Sequence, residues 1–461
     1  MPYIDRVRAI AARASIALSL VGVFAVDAAV ARADVTPPPT ELPAVLTLDD
    51  ALKVFRARGL DLLIAEANVR AAEGSVKIAG AIPNPGWSAG AVYTPTYNSN
   101  DPSCAQGATK CTGYGYSVAL TDNAAIEDSL SGKRDLRLRV ARSALAAAKM
   151  TRVDAQRNLE FQLKSAYAQL AQALLGYRFA KRTADSNVVT LEKFKVRLAS
   201  GAINEGDYAR ILTQKLESEQ ALATAAQTLR QARVAVAFLM GVRGVVADFD
   251  VPDGFLDFHP RAVVSNATES SLLKLAVQHR PDLISAGYTK ASAQSTIDLV
   301  KRQRFPDVAV SVGYAGGGWG GLGVNNPSFP PTVSFGLSGT IPIFYGLQGE
   351  LRQAQAAYDV AALQYAKLVA QIASDVANAF AQERAAREMA ERMEGASGLL
   401  AAARRAFETT AMQYDKGAAS LTDYLDAYRT FVATQVEQYQ DLANYWTAVF
   451  QLEQAVGMEL R

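Results

Sequence analysis

Histidine and cysteine are scarce in this chain, which contains two of each in 461 residues. Metal centres and nucleophilic enzymes depend on clusters of such side chains. His259 and His279 lie far along the chain from Cys104 and Cys111, and no Ser/His/Asp arrangement can be recognised. The sequence therefore predicts no enzyme, no metal site and no cofactor.

An excess of one charge is also missing, because 47 lysines and arginines face 45 aspartates and glutamates. Proteins that bind nucleic acid usually carry a basic stripe or patch. No such stripe is visible in this sequence. We therefore expect no nucleic acid among the partners.

Long apolar runs are absent except for a short one near the N-terminus, Ile16–Val26. Three arginines precede this run, and a small-residue cleavage pattern ends at Ala33, as in secretory signal peptides. We expect residues 1–33 to be a signal peptide and 34–45 a proline-rich N-terminal segment. An ordinary N-terminal helix is the alternative.

No later stretch reaches the roughly 18–20 apolar residues of a membrane-spanning helix. Since only helices and closed barrels satisfy every backbone group in lipid, an exported chain of this kind would enter a membrane as a β-barrel. Export also favours a disulfide between Cys104 and Cys111, which lie in a loop rich in glycine, serine and asparagine.

The rest of the chain repeats itself at an offset of roughly 220 residues, a signal that defines the architecture. Pro85 and Tyr93 align with Pro306 and Tyr314, and later blocks align in the same order. The repeat predicts three segments: repeat 1 over 46–241, a linker over 242–264 and repeat 2 over 265–461.

Each repeat contains two stretches that alternate like β-strands. The predicted strands lie near 86–94, 113–127, 307–315 and 333–344. Their apolar side chains fall on one face, which we expect to contact lipid: Trp87, Tyr93, Val308, Val310, Val312, Tyr314, Phe335, Leu337, Ile341 and Ile343. An apolar face opposite a small or polar one is typical of outer-membrane strands, although a half-buried strand of a soluble sheet alternates in the same way.

Proline is absent from Lys133 to Ser200 and from Leu351 to Met412, which predicts long helices after 132 and after 350. Helices of this length would span about 90 Å and must pack lengthwise as coiled coils. They are expected to turn back at Gly201 and Gly417. Separate short helices of a bundle are the alternative.

The predicted fold is therefore mostly α with a transmembrane β part. Four strands cannot close a lipid-facing barrel, because known ones have at least eight. Several chains must therefore share one barrel if these strands cross a membrane.

The tandem repeat, the hairpin insertions and the turn sequence "GAASLTDYLDA", which runs from Gly417 to Ala427, resemble the TolC family of outer-membrane efflux proteins. The resemblance implies a homotrimeric α/β barrel duct in the outer membrane that extends into the periplasm. It also implies a passive exit duct of a tripartite efflux or type I secretion system. The implied partners are a periplasmic adaptor docked at the turns, an inner-membrane transporter and outer-membrane lipid.

The resemblance also implies a periplasmic gate. By position, Asp423 and Asp426 match a ring of carboxylates at the constriction, while Tyr414 and Asp207 match a linking pair. The arginine expected two residues after the turn glycine is replaced by Ala419. The alternative for each acid is a solvated residue on an exposed helix tip, and the pairing of Asp423 with Asp426 favours the pore.

A second hypothesis is an exported coiled-coil structural or adhesin-like protein with a soluble β head. The single apolar face of the strands favours the duct, because a soluble head should carry polar side chains among the outward positions of each strand.

Overall fold

The computed structural model describes residues 42–94, 112–265, 267–320, 328–395 and 397–460. The helices are α1 (Leu48–Arg58), α2 (Leu60–Gly80), α3 (Ala125–Leu130), α4 (Lys133–Ala199), α5 (Glu205–Leu239), α6 (Ala262–Ser265), α7 (Glu269–His279), α8 (Pro281–Gln303), α9 (Gln348–Met393), α10 (Leu399–Asp415) and α11 (Leu421–Val456). The strands are β1 (Gly86–Thr94), β2 (Thr112–Thr121), β3 (Val308–Gly320) and β4 (Ser328–Gly339).

The four strands form one antiparallel sheet in the order β1-β2-β3-β4. Trp87 lies opposite Leu120 in the first hairpin, and Val312 lies opposite Phe335 in the second. The two hairpins join where Val118 of β2 lies opposite Tyr314 of β3. The prediction of a mostly helical chain with one hairpin in each of two repeats is confirmed.

The prediction that the second strand continues to residue 127 is wrong. β2 ends at Thr121, because Asn123 and Ala124 adopt left-handed backbone angles with φ of 50° and 62°. Such angles cannot continue a strand. The short helix α3 follows instead.

The second hairpin also differs from its predicted bounds. β3 continues past residue 315 to Gly320, and β4 begins at Ser328 and ends at Gly339. The ladder stops there because its partner strand β3 begins at Val308, directly opposite Gly339. Ile341 and Ile343 therefore lie beyond the strand, although the alternation placed them on it.

The helix α4 is unbroken over 67 residues, a length of about 100 Å. The corresponding stretch of repeat 2 is interrupted, because the chain leaves the helical conformation after α9 and Gly395 has a φ of +87°. It forms two helices of 46 and 17 residues. Among the described helices, none combines the length and the apolar character needed to cross a membrane.

The main hydrophobic core surrounds the middle of α4. Tyr167 is fully buried there, donates its hydroxyl to the carbonyl of Leu46 at 2.6 Å, and meets the ring of Phe255 edge-on at 4.7 Å. The 242–264 segment also contributes the buried Phe249 and Leu256. This core fixes where α4 runs, and hence where its two ends place the sheet and the turn at Gly201.

Candidate functional site at the helical turns

The turn between α4 and α5 reverses the chain at Gly201. Its φ of +74° lies in the left-handed region, which costs residues with a Cβ about 1–2 kcal/mol. The N–H of Ala202 donates to the carbonyl of Arg197 at 2.9 Å, which satisfies a group that the helix end would leave unpaired. Asn204 then caps α5 by accepting from the N–H of Asp207 at 2.8 Å.

The turn between α10 and α11 has the same construction around Gly417, whose φ is also +74°. The N–H of Ala418 donates to the carbonyl of Gln413 at 2.8 Å. Ser420 and Asp423 form a reciprocal capping box at the start of α11, with N–H to side-chain distances of 3.0 and 3.2 Å. Both predicted turn glycines therefore lie at helix reversals.

The carboxylate of Asp423 is exposed and bound to its own helix end. Its Oδ2 accepts from the hydroxyl of Ser420 at 2.7 Å and from the Ser420 N–H. These two hydrogen bonds, the hydroxyl foremost, lower the pKa of Asp423. Asp426 follows one turn later and is also exposed. Residues three apart are neighbours on a helix surface, so the two carboxylates lie side by side.

Tyr414 lies in a cluster of rings beneath the turns. Its ring stacks on Phe194 with centroids 5.9 Å apart and planes 2° from parallel, and it lies 5.5 Å from Tyr424. Burial is the main reason why the pKa of Tyr414 is raised. Within the described residues, Tyr414 and Asp207 share no hydrogen bond. Tyr414 and Asp207 therefore lie in the same region of the structure, but within one chain their side chains are not hydrogen-bonded to each other.

The ion pair at this site comes from a residue that the sequence reasoning missed. Arg197, in the last turn of α4, donates from Nη2 to Oδ1 of Asp415 at 2.9 Å. Its guanidinium carbon also lies 5.7 Å from the centre of the Tyr414 ring, within the range of a cation–π contact. Arg197 thus joins the two helical hairpins, although no arginine stands at Ala419.

Further contacts continue this connection between the hairpins. Nη1 of Arg210 lies 3.1 Å from the hydroxyl of Thr422, and Nδ2 of Asn187 donates to the buried hydroxyl of Tyr428 at 3.0 Å. No sequence motif marked Arg197 in advance. It lies four positions before Gly201, and its partner Asp415 lies two positions before Gly417.

The apolar strand residues lie on one exposed face of the sheet. Trp87, Tyr93, Phe335 and Leu337 are between 68% and 80% exposed. Val308, Val310, Val312 and Tyr314 are between 36% and 45% exposed on the same face, as their cross-strand partners require. Cys104 and Cys111 lie outside the described residues, so their disulfide stays a prediction.

A model of the outer membrane efflux protein family matches residues 51–242 and 272–458, one segment in each repeat. The chain is 24% identical over 405 residues to the pyoverdine export outer membrane protein OpmQ of Pseudomonas aeruginosa. This alignment covers 84% of the chain and 80% of that protein.

Two solved structures share the fold. The CmeC outer membrane channel of Campylobacter jejuni has a TM-score of 0.71 at 17% identity, covering 89% of this chain and 85% of that one. The open MtrE outer membrane channel of Neisseria gonorrhoeae has a TM-score of 0.67 at 20% identity, covering 92% and 94%. The chain therefore belongs to the outer membrane efflux protein family, which the TolC resemblance had indicated, and it is an outer-membrane efflux channel that extends into the periplasm.

Proposed function

We propose that three copies of the chain assemble into the outer-membrane exit duct of a tripartite efflux or secretion system. The observation that carries the proposal is the four-stranded sheet, in which β1 and β4 are the outermost of the described strands. Open edges are not tolerated in lipid. Sheets of neighbouring copies would therefore join edge to edge.

The apolar face of the sheet supports a position in the membrane. In this arrangement the valines of β3 and the exposed Trp87, Tyr93, Phe335 and Leu337 contact lipid. The opposite face carries Ser311 and Ser334 and lines the aqueous interior. This alternation is typical of strands that separate lipid from water.

The helices support transport across the periplasm. With a length of about 100 Å, α4 leads from the sheet to the turn at Gly201. We place the docking site of a periplasmic adaptor at the turns around Gly201 and Gly417. An inner-membrane transporter supplies the energy, and the duct conducts its cargo passively.

The turns also form the gate in this proposal. Asp423 and Asp426 of three copies would make stacked carboxylate rings, which attract cations and disfavour anions. The contact between Arg197 and Asp415 holds the two hairpins of each copy together beneath these rings. In this proposal, an arginine of the first helical hairpin, formed by α4 and α5, keeps the duct closed.

Fractionation of cells that produce the full chain tests this function. We expect the protein in the outer-membrane fraction, as an oligomer on an unheated denaturing gel that becomes a monomer after heating. The size of the intact oligomer, measured in detergent by light scattering, should equal three chains. Recovery as a soluble periplasmic monomer would overturn the proposal and favour a coiled-coil protein with a soluble head.

A further inference from the structure

We propose that the segment Ile341–Tyr345, between β4 and α9, is a docking surface for a second copy of this chain. Its binding site is the stretch from Ile78 to Gly86, which leads into β1 of that copy. The inference rests on the proposed oligomer and names the residues through which neighbouring copies meet at the base of the sheet.

The segment has a defined conformation within one chain. The hydroxyl of Tyr345 donates to the carboxylate of Glu350 at 2.6 Å and accepts from the N–H of Gly349 at 3.0 Å. This holds the segment on the first turn of α9. The N–H of Ile343 also donates to the carbonyl of Ile341 at 2.9 Å.

The apolar side chains of this held segment are left uncovered. Ile341, Ile343 and Phe344 are 72%, 75% and 100% exposed. Single exposed apolar residues are common on proteins, but adjacent ones on an ordered segment indicate an interaction site. Because β4 ends at Gly339, the alternation of the strand does not account for them.

The equivalent segment of repeat 1, which follows β2, is docked inside the chain. Oδ1 of Asp122 accepts from the N–H of Val310 at 2.7 Å. Nζ of Lys133 lies 2.8 Å from the carbonyl of Phe305 and 2.6 Å from the carboxylate of Asp307. The segment after the first hairpin therefore binds the start of the second hairpin.

The internal repeat identifies which residues bind to Ile341–Tyr345. The chain after β2 binds the residues before β3, so the chain after β4 should bind residues equivalent to those before β3. These are the residues before β1. They lie at the other edge of the sheet in the same chain, and a second copy supplies them at the β4 edge.

The charged residues of the junction inside the chain are replaced on both sides of the proposed junction between copies. On one side, Asp122 and Lys133 of repeat 1 correspond to Gly339 and Glu350 of repeat 2. On the other side, Arg302 and Asp307 of repeat 2 correspond to Ala81 and Gly86 of repeat 1. The ion pair between Lys133 and Asp307 thus has no counterpart between copies.

Exposed apolar side chains lie next to Ala81, the position at which the charge of Arg302 has no counterpart. Ile78 and Ile82, on either side of Ala81, are 77% and 55% exposed. The polar junction inside the chain therefore becomes an apolar junction between copies. Apolar surfaces on both partners match each other, and burying them favours association.

Cysteine cross-linking tests this contact in the intact outer membrane. The chain carries Ile82→Cys and Phe344→Cys in a background of Cys104→Ser and Cys111→Ser, and a short bis-maleimide is added. We expect covalent dimers and trimers that survive heating. The matched control pairs Phe344→Cys with Val245→Cys, a residue that is 95% exposed in the 242–264 segment, and should stay monomeric after heating.

A second measurement does not depend on reagent access. Phe344→Asp should abolish the oligomer band of the unheated gel, whereas Phe344→Leu and the surface control Val245→Asp should retain it.

A third measurement uses a fluorophore attached to the single thiol of the Phe344→Cys variant in the Cys104→Ser and Cys111→Ser background. The fluorophore should be shielded from lipid-phase quenchers in the oligomer. Quenching by lipid would assign the segment to the membrane instead and overturn the inference.

The two proposals fail in distinguishable ways. If the unsubstituted chain forms no oligomer, the proposed duct itself is wrong. If it forms the oligomer while the 82–344 pair gives no cross-link and Phe344→Asp leaves the band unchanged, only the docking surface is wrong.

Discussion

Arg197 and Asp415 are separated by 218 positions in the chain, and their side chains meet at 2.9 Å. The contact joins the last turn of α4 to the last residue of α10, so it links the two helical hairpins next to their turns. Rings of Phe194 and Tyr414 lie under the guanidinium at 5.6 and 5.7 Å. The arginine therefore has both an acid and an aromatic surface as partners.

Removal of this link should loosen the closed duct. The side chains of Arg197 and Asp415 are 38% and 69% exposed, so water screens the ion pair and it contributes about 0–1 kcal/mol. We expect Arg197→Ala to raise the open-to-closed ratio by up to about fivefold for each copy, seen as a higher open probability of single channels in planar bilayers.

A double-mutant cycle assigns this effect to the contact. Asp415→Ala alone should have a similar effect, and the double variant should add little to either single one. Arg210→Ala, which removes a hydrogen bond to the uncharged hydroxyl of Thr422, serves as the comparison. Strict additivity of Arg197→Ala and Asp415→Ala would show that the two side chains act independently.

Neutralising the acids of the second turn should reduce cation selectivity. Asp423→Asn with Asp426→Asn removes the charges, while an amide oxygen at 423 can still accept from Ser420 and keep the cap of α11. We expect the ratio of cation to anion permeability to fall in bilayer measurements. An unchanged ratio in the double variant would remove both residues from the pore.

The pH dependence of that selectivity follows from the lowered pKa of Asp423. The hydroxyl and N–H of Ser420 stabilise the charged form, so this carboxylate stays ionised below its usual pKa of 3.8. The contribution of Asp423 to selectivity and to the helix cap is present above pH 3.8. It is lost only as the pH falls through the lowered pKa of Asp423. The contribution of Asp423 should therefore be constant between pH 7 and 5.

Glu383 on α9 should destabilise the fold when it is charged. Its side chain is 1% exposed, its Oε1 lies 3.9 Å from Arg387, and within the described residues its Oε2 has no hydrogen-bond partner. Burial raises the pKa of Glu383. Stability linked to this group is present below the usual pKa of 4.5 and is lost as pH rises through the higher folded value.

Glu383→Gln tests this assignment by removing the charge at similar size. We expect the variant to be more stable than the parent by about 1 kcal/mol at pH 8 and less so at pH 5, measured by thermal unfolding in detergent. Glu388→Gln, whose parent side chain is 63% exposed, should change little. A loss of stability at pH 8 would show that the ionised carboxylate is needed.

Glycine replacements should have opposite signs at the turns and inside α4. Gly201→Ala and Gly417→Ala force a Cβ into the left-handed region at φ of +74° and should each cost about 1–2 kcal/mol. Gly176 lies within α4, and a Cβ added there would meet no heavy atom within 4 Å beyond the nearby backbone of its own helix, so Gly176→Ala should stabilise by about 0.5–1 kcal/mol. Thermal unfolding of the three variants compares them, and equal effects would contradict the turn geometry.

Local patterns in the sequence account for most of the fold. The repeat, the alternation at Val308–Tyr314 and the proline-free run of α4 are short-range signals, because strand and helix periodicity depend on neighbouring residues. The turns at Gly201 and Gly417 could be located for the same reason. Only glycine adopts their backbone angle without strain.

The strand ends were less predictable. The alternation continues through Ile341 and Ile343, but pairing stops at Gly339, since the ladder depends on what the partner strand offers. The interruption at Gly395 was visible as a glycine, yet only the structure distinguishes it from Gly176, which α4 accommodates.

The sequence alone therefore specified a two-repeat chain of hairpins and long helices and its family, because these depend on periodicity and on short motifs. Tertiary structure decided which side chains meet. It paired Arg197 with Asp415 in place of an arginine at 419, and it left Phe344 uncovered while Lys133 was buried. Such contacts join residues far apart in the chain, and their distances are set by how the helices and strands pack.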